Sequence, residues 1–150
     1  MLPELSVYLP NVPGQFSRVL KALASVDLNI SGFSVELSGA ISQLRLLFKD
    51  ATEVARAKKA LDDFHYETVK TQLLLLSIPD VPGELLKVVE VMGENGINVE
   101  YGYMTTGKTE TGDVLFVLKV DGDKEQLAQD CLEANGIKDH DRIPNRPRQR

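Results

Sequence analysis

Apolar positions follow two different periods along the first half of the chain. Residues 5–9 alternate as in a half-buried strand, whereas residues 16, 19, 20 and 23 fall on one face of a helix. The predicted elements of this half are strand 5–9, helix 15–25, strand 29–37, a hairpin connection at 38–40, strand 41–49, helix 53–64 with Thr52 as its cap and Phe64 on its buried side, and strand 66–70.

The second half predicts the same order of elements. Four consecutive leucines at 73–76 fit either a strand covered on both faces or a helix, and the nearby Pro79 decides for the strand. The predicted elements are strand 73–78, helix 84–94, strand 98–105, a polar hairpin loop at 106–112, strand 114–120, helix 123–134 and a short strand within 137–143. In this last segment, Asp139-His140-Asp141 is interpreted as a solvated polar turn rather than a cation site.

The two halves are one unit written twice. The segment PNVPGQF at residues 10–16 returns as PDVPGEL at residues 79–85, an offset of 69 residues (79 − 10 = 69). The same offset carries LNI at residues 28–30 onto INV at residues 97–99. Both segments, and also the apolar face of the helix after the turn, match at the same offset. This agreement indicates an internal repeat rather than a chance match.

The repeated turn joins a strand to a helix. Val12 precedes a proline, which favours extended geometry, and Pro13 fits the first helical position because it has no N–H to satisfy there. Gly14 has no side chain, so another group can approach the backbone closely. Unpaired N–H groups at a helix start suit a carboxylate or a phosphate. The alternative is a purely structural turn in which Asn11, or Asp80 in the second copy, caps the helix.

Composition and charge narrow the function classes. The net charge of −5 argues against a nucleic-acid binder, and no run of about 18 apolar residues indicates a membrane span. The single cysteine, Cys131, excludes an internal disulfide and a cysteine zinc cluster, and we expect it on the buried side of a helix. The start of the chain has neither a basic nor an apolar targeting region, which favours a cytoplasmic protein. Residues 144–150 are expected to form a flexible basic tail, with a weak acidic partner as the alternative.

The strand–helix–strand pattern, used twice in each half, predicts an α+β fold. Each half would form a four-stranded antiparallel sheet with two helices on one face, which is the ferredoxin-like βαββαβ plan. We therefore predict one domain over residues 1–71 and a second over residues 72–143.

From about residue 5 to residue 143, the chain resembles a tandem pair of ACT domains, a family of small amino-acid-binding regulatory modules. The resemblance is carried by the βαββαβ pattern, by the two turns, and by an asparagine 18 residues after Asn11 and another 18 residues after Asp80 (29 − 11 = 18 and 98 − 80 = 18). In that family the turn and the start of the second strand line a ligand site between paired domains. The resemblance therefore implies eight ligand-binding residues: Asn11, Val12, Gly14, Asn29, Asp80, Val81, Gly83 and Asn98.

The implied residues suit an amino acid, because an amide offers a donor for the carboxylate and an acceptor for the ammonium group. Since sites of the family lie between domains, we expect each turn to face the asparagine of the other copy. The expected crossed sites are Asn11 and Gly14 with Asn98, and Asp80 and Gly83 with Asn29. The site with Asn11 should be the tighter one for a neutral amino acid, because ionised Asp80 repels a carboxylate.

These observations predict a non-catalytic, amino-acid-responsive regulatory protein. Its ligand would be a free amino acid and its partner a second copy or a regulated enzyme, with no cofactor, metal, nucleic acid or membrane. The alternative is an interaction module with empty sites, in which the asparagines are only turn residues. A small ferredoxin-like enzyme is a third option, but no nucleophile or acid–base pair stands out.

Overall fold

Two units make up the computed structural model, which describes residues 1–144. One unit is Pro3–Thr71, and the other runs from Gln72 onward and includes Met1 and Leu2. The predicted basic tail lies outside the described residues, except for residue 144. The elements are β1 (Leu2–Pro10), α1 (Gln15–Ala24), β2 (Gly32–Ser38), β3 (Ile41–Leu47), α2 (Ala51–Asp63), β4 (Thr68–Ile78), α3 (Glu84–Glu94), β5 (Val99–Lys108), β6 (Val114–Val120) and α4 (Glu125–Ala134), with a short 3-10 turn at Gly122–Lys124 before α4.

In the first unit, β3 lies between β1 and β2 and pairs antiparallel with both. The Tyr8 N–H donates to the Glu67 carbonyl at 3.2 Å, so the chain entering β4 runs beside β1. Both helices cover one face of this sheet and form one core with it. That core contains Leu5, Val7 and Leu9 of β1, Leu44 and Leu46 of β3, Val19 and Leu23 of α1, and Val54 and Leu61 of α2.

The second unit repeats this plan. Strand β6 lies between β4 and β5 and is antiparallel to both. Its core contains Leu74 and Leu76 of β4, Phe116 and Leu118 of β6, Val88 and Met92 of α3, and Ala128 and Leu132 of α4. Antiparallel sheets with helices on one face confirm the predicted α+β, ferredoxin-like class. Within residues 1–144, none of the helices has the length and apolar character needed to cross a bilayer.

The strands that join the two units differ from the prediction. Residues 66–70 and 73–78 were expected to form separate strands, but β4 is continuous from Thr68 to Ile78. Neither Thr71 nor Gln72 is a turn former, so the chain stays extended where the repeat begins again. The leucines at 73–76 are all buried, as expected for a strand covered on both faces.

The predicted strand within 137–143 is wrong. Only an isolated bridge between Leu76 and Asp139 forms there. The interpretation of this segment as a solvated turn is also wrong, because the Asp139 side chain is fully buried. Its carboxylate accepts from the Leu75 N–H at 2.8 Å and pairs with the Met1 ammonium at 2.9 Å. Side-chain bonds thus replace the ladder that a last strand would have formed.

Helix α2 begins earlier than predicted. Asp50, rather than Thr52, is its cap, because the Asp50 carboxylate accepts from the Glu53 N–H at 3.0 Å. The helix ends at Asp63, so Phe64 leaves the buried side and is 59% exposed.

Candidate ligand-binding site

The first turn, residues 10–16, differs in detail from its prediction. Pro13 precedes the helix, and the residue at the helix boundary is Gly14, with a left-handed φ of 88°. No side chain within residues 1–144 caps this helix start, so Asn11 is not a cap. The glycine is therefore required by the backbone, because L side chains rarely adopt this conformation. A Cβ on Gly14 would meet no described atom within 4 Å, so the space in front of the turn is open.

The hairpin between β2 and β3 holds the first turn in place. The Asn11 N–H donates to the Ala40 carbonyl at 2.8 Å, which ties the start of the turn to the tip of that hairpin. The Ser17 hydroxyl and the Arg18 N–H both donate to the Gly14 carbonyl. The Asn11 and Val12 side chains remain exposed. The backbone is thus fixed while the side chains of the turn stay available.

A pocket of about 360 Å³ lies at the first turn. Its lining comes from the end of β1, the turn itself, the first residues of α1 and two strands of the sheet: Leu9, Pro10, Asn11, Val12, Pro13, Gly14, Gln15, Phe16, Val35, Ser42 and Leu44. Small-molecule sites are typically clefts of about 300–1,000 Å³ with a mostly apolar lining and a few polar groups. The pocket has this composition, with its amides at the turn.

An exposed apolar strip extends from the pocket along β2, the edge strand of this unit. Phe33, Val35 and Leu37 alternate along β2, so they share one face, and each is more than half exposed. Val35 pairs with the core residue Leu44, which places the strip on the face that the helices cover elsewhere. The Phe33 and Phe16 rings lie 6.0 Å apart between centroids. The sequence predicted a strand here, but not that its apolar face stays uncovered.

The second turn, residues 79–85, has the same backbone and different charges. Gly83 has a φ of 91° and stands at the start of α3 without a side-chain cap in the described chain. Where the first turn has the amides Asn11 and Gln15, the second has Asp80 and Glu84 (80 − 11 = 69 and 84 − 15 = 69). Each carboxylate has a lysine partner. Lys108 Nζ donates to Asp80 Oδ2 at 2.9 Å, and Lys87 Nζ donates to Glu84 Oε1 at 2.5 Å.

The two asparagines that follow the helices lie in loops rather than in strands. Asn29 is exposed in the loop before β2 and is not among the described residues that line the pocket. Asn98 is exposed immediately before β5, where its N–H donates to the Asp121 carboxylate and its carbonyl accepts from the Asp121 N–H, both at 3.3 Å. The structure thus brings Asn11, Val12 and Gly14 together at one pocket. Val81 is likewise exposed on the second turn beside Asp80 and Gly83.

Three candidate functional residues were not among the predicted ligand-binding residues. They are Phe16, Val35 and Lys108. Phe16 was read only as part of the buried helix face, and Val35 only as part of a strand. Lys108 lies 28 residues from Asp80, and nothing local in the sequence connects the two. The sequence did contain a signal for Val35, because it lies on the predicted strand that leads into the hairpin at residues 38–40.

No protein-family model matches the chain, and no curated protein sequence matches it. Solved structures do match. A protein from Bacteroides thetaiotaomicron has a TM-score of 0.81 at 24% identity, over 93% of this chain and 91% of that chain. The ligand-free regulatory subunit of aspartate kinase from Thermus thermophilus has a TM-score of 0.64 at 17% identity, over 88% and 91%. The regulatory subunit of aspartate kinase from Thermus flavus has a TM-score of 0.62 at 16% identity, over 88% and 90%.

The chain has the fold of these solved structures, which is the fold that the resemblance to a tandem pair of ACT domains implied. The matched structures extend over 93% and 88% of the chain, so the likeness includes both units. The resemblance inferred from the two turns is therefore confirmed for the fold. Within this fold, the first turn lines a pocket. The second turn has two carboxylates, each in contact with a lysine.

Proposed function

We propose that this protein binds a free amino acid at the first turn and acts as a non-catalytic regulatory module. The observation that carries the proposal is the pocket of about 360 Å³, in which an exposed amide and an uncapped helix start meet an apolar wall. A free amino acid needs both kinds of surface. Its two charged backbone groups require hydrogen-bond partners, and its side chain requires a separate environment.

Each polar group of the ligand has a candidate partner at the first turn. The first N–H groups of a helix have no partner within the helix, and this end carries a partial positive charge, which favours a carboxylate. The Asn11 carbonyl oxygen can accept from the ligand ammonium, and its amide can also donate. Gly14 keeps the approach open, because a side chain at that position would project into the space in front of the turn.

The likeness to regulatory subunits of aspartate kinase supports a regulatory rather than a catalytic role. The output would be a change in the association of the protein with a second copy, or in the activity of a partner enzyme. The expectation from the resemblance that paired domains enclose the ligand, with each turn facing the other copy's asparagine, stays a prediction.

A thermal-shift screen with the twenty amino acids tests this function. A ligand that binds only the folded state, at 100 times its dissociation constant, adds about 2.7 kcal/mol of stability. For a chain of this size, the melting temperature should then rise by roughly 5–10 °C. A flat response to all twenty at millimolar concentration would contradict the proposal.

The apolar strip on β2 favours a second candidate, an interaction module without a ligand. Phe33, Val35 and Leu37 expose a contiguous apolar face, and such faces also mark protein interfaces. This function predicts association that depends on protein concentration and does not depend on amino acids. Sedimentation of the wild type and of Leu37→Ser, with and without amino acids, separates the two functions.

A further inference from the structure

The pocket at the first turn has a polar end and an apolar end. Its amides, Asn11 and Gln15, both belong to the turn region, whereas Phe16 of α1 and Val35 and Leu44 of the sheet provide apolar surface. The sheet also contributes one hydroxyl to the described lining, that of Ser42. None of the described residues that line it carries a charge. An acidic ligand side chain would find no cation in this lining, and a basic one would find no carboxylate.

An aromatic pair supports the apolar end. The Phe16 and Phe33 rings lie 6.0 Å apart at an interplanar angle of 46°, within the range of favourable aromatic contacts. Phe16 lines the pocket directly, and Phe33 lies behind it on β2, two residues before the lining residue Val35. Phe33 therefore fixes one side of the Phe16 ring while 55% of its own surface stays exposed.

The equivalent positions of the second unit do not form such an aromatic pair. Gly102 stands where the first unit has Phe33 (102 − 33 = 69), and a Cβ at Gly102 would lie 2.8 Å from an atom of the Phe116 ring. Phe116 itself occupies the place of Leu44, since Val7 pairs with Leu44 and its counterpart Leu76 pairs with Phe116. A larger core ring thus fills the space next to β5, and no side chain fits at position 102.

We infer that the first turn selects an amino acid with an apolar side chain, of the size of valine to phenylalanine, and that Phe33 is a specificity-determining residue. The inference rests on the proposed function and names its ligand class. The ligand backbone binds at the turn and its side chain packs against Phe16 and Val35. Phe33 acts through Phe16, because it holds that ring against the pocket.

The test is calorimetry on the full chain with L-leucine, L-valine and L-phenylalanine against L-serine, L-aspartate and L-lysine. Each buried methylene contributes about fourfold in affinity, so leucine should bind at least about tenfold more tightly than serine. Phe33→Ser should reduce this leucine-to-serine ratio severalfold. Leu37→Ser is the matched control, since Leu37 is 61% exposed on the same strand but does not line the pocket.

The possible results distinguish a failure of the inference from a failure of the proposed function on which it rests. If serine, aspartate or lysine binds as tightly as leucine, the apolar preference is wrong while amino-acid binding stands. If none of the six binds, the apolar preference is wrong, and the thermal-shift screen with all twenty amino acids decides whether the function fails as well. If Phe33→Ser weakens all ligands equally, or if Leu37→Ser changes the ratio as much as Phe33→Ser does, then Phe33 does not determine specificity. Should Phe33→Ser not fold, Phe33→Leu, which removes the aromatic ring but keeps an apolar side chain, takes its place, and an unchanged leucine-to-serine ratio in that variant would overturn the role of Phe33.

Discussion

The two turns of the molecule have the same backbone and carry different chemistry. Gly14 and Gly83 have φ values of 88° and 91°, and each stands immediately before a helix. Around this common frame, the first turn presents uncharged amides next to an apolar pocket, whereas the second presents two carboxylates, each paired with a lysine. The left-handed glycine thus serves the fold in both units. Ligand recognition must depend on the side chains, in which the units differ.

The largest expected effect tests the left-handed glycine that the two turns share. Gly14→Val and Gly83→Val should each lower the free energy of unfolding by about 2 kcal/mol, because a β-branched residue is strained at positive φ. Urea denaturation of the full chain measures this change. Gly93→Ala is the control, because Gly93 lies within α3 with open space around it and alanine should stabilise the helix by up to about 1 kcal/mol. Equal stability of Gly14→Val and the wild type would contradict a common backbone requirement.

The next largest effect tests the difference in charge between the first turn and the second. Asn11→Asp gives the first turn the acid of the second turn but no lysine partner, so it should repel a ligand carboxylate and weaken binding about tenfold. Calorimetry with the amino acid that binds the wild type measures the change. Gln72→Glu adds the same charge at an exposed position of β4 and should leave the affinity unchanged. An unaltered affinity in Asn11→Asp would mean that the turn does not hold the carboxylate.

The pocket wall provides a smaller effect with a matched counterpart in the second unit. Val35 and Met104 occupy equivalent positions on β2 and β5 (104 − 35 = 69), and both are exposed. Val35→Ser removes apolar surface from the pocket and should weaken the binding of leucine severalfold, by about 1 kcal/mol. Met104→Ser should leave the binding at the first turn intact. Equal losses in the two variants would show that the first pocket does not bind the side chain.

The smallest effect is a pH dependence from the second unit. Burial, and then the positive charge of Lys138, lower the pKa of His140 below its usual 6.5, while Asp139 and Asp141 oppose the shift. Its Nε2 is buried without a hydrogen-bond partner within residues 1–144. As the pH falls through 6.5, the unfolded chain takes up the proton before the folded chain does, so stability is present above this pH and declines below it.

His140→Gln should therefore lose less stability than the wild type between pH 7.5 and pH 5.5, as measured by urea denaturation at both values. Subtracting the change in the variant from the change in the wild type cancels the contribution of the carboxylates common to both. A pH dependence identical in the variant and the wild type would contradict a lowered pKa of His140.

The sequence predicted those parts of the fold that a local period determines. Helix α3 was predicted with the bounds that it has, and β6 likewise, because their apolar residues recur at one spacing between clear breaks. The continuity of β4 was missed, since the repeat suggested a boundary where no turn residue exists. The burial of Asp139 was missed because its partners, Met1 and Leu75, are distant in sequence.

The candidate ligand-binding site also could be predicted only where a local sequence pattern determines it. The motif located the first turn, but Pro-Gly is compatible with a glycine of either sign of φ, and only the three-dimensional structure gives the left-handed value at Gly14. A strand was predicted at β2, but not that the helices leave this edge uncovered. The contact between Lys108 and Asp80 depends on the length of the hairpin after β5, which no local pattern encodes.

The central claim, that an amino acid occupies the pocket at the first turn, is tested most directly by nuclear Overhauser effects. Uniformly labelled protein with an unlabelled amino acid selected in the thermal-shift screen would give contacts between ligand protons and protein protons. We expect contacts from the ligand Hα to the turn at Gly14 and from its side chain to the ring of Phe16 and the methyl groups of Val35. Contacts confined to other parts of the chain, or a bound ligand without any contact to these residues, would contradict the account.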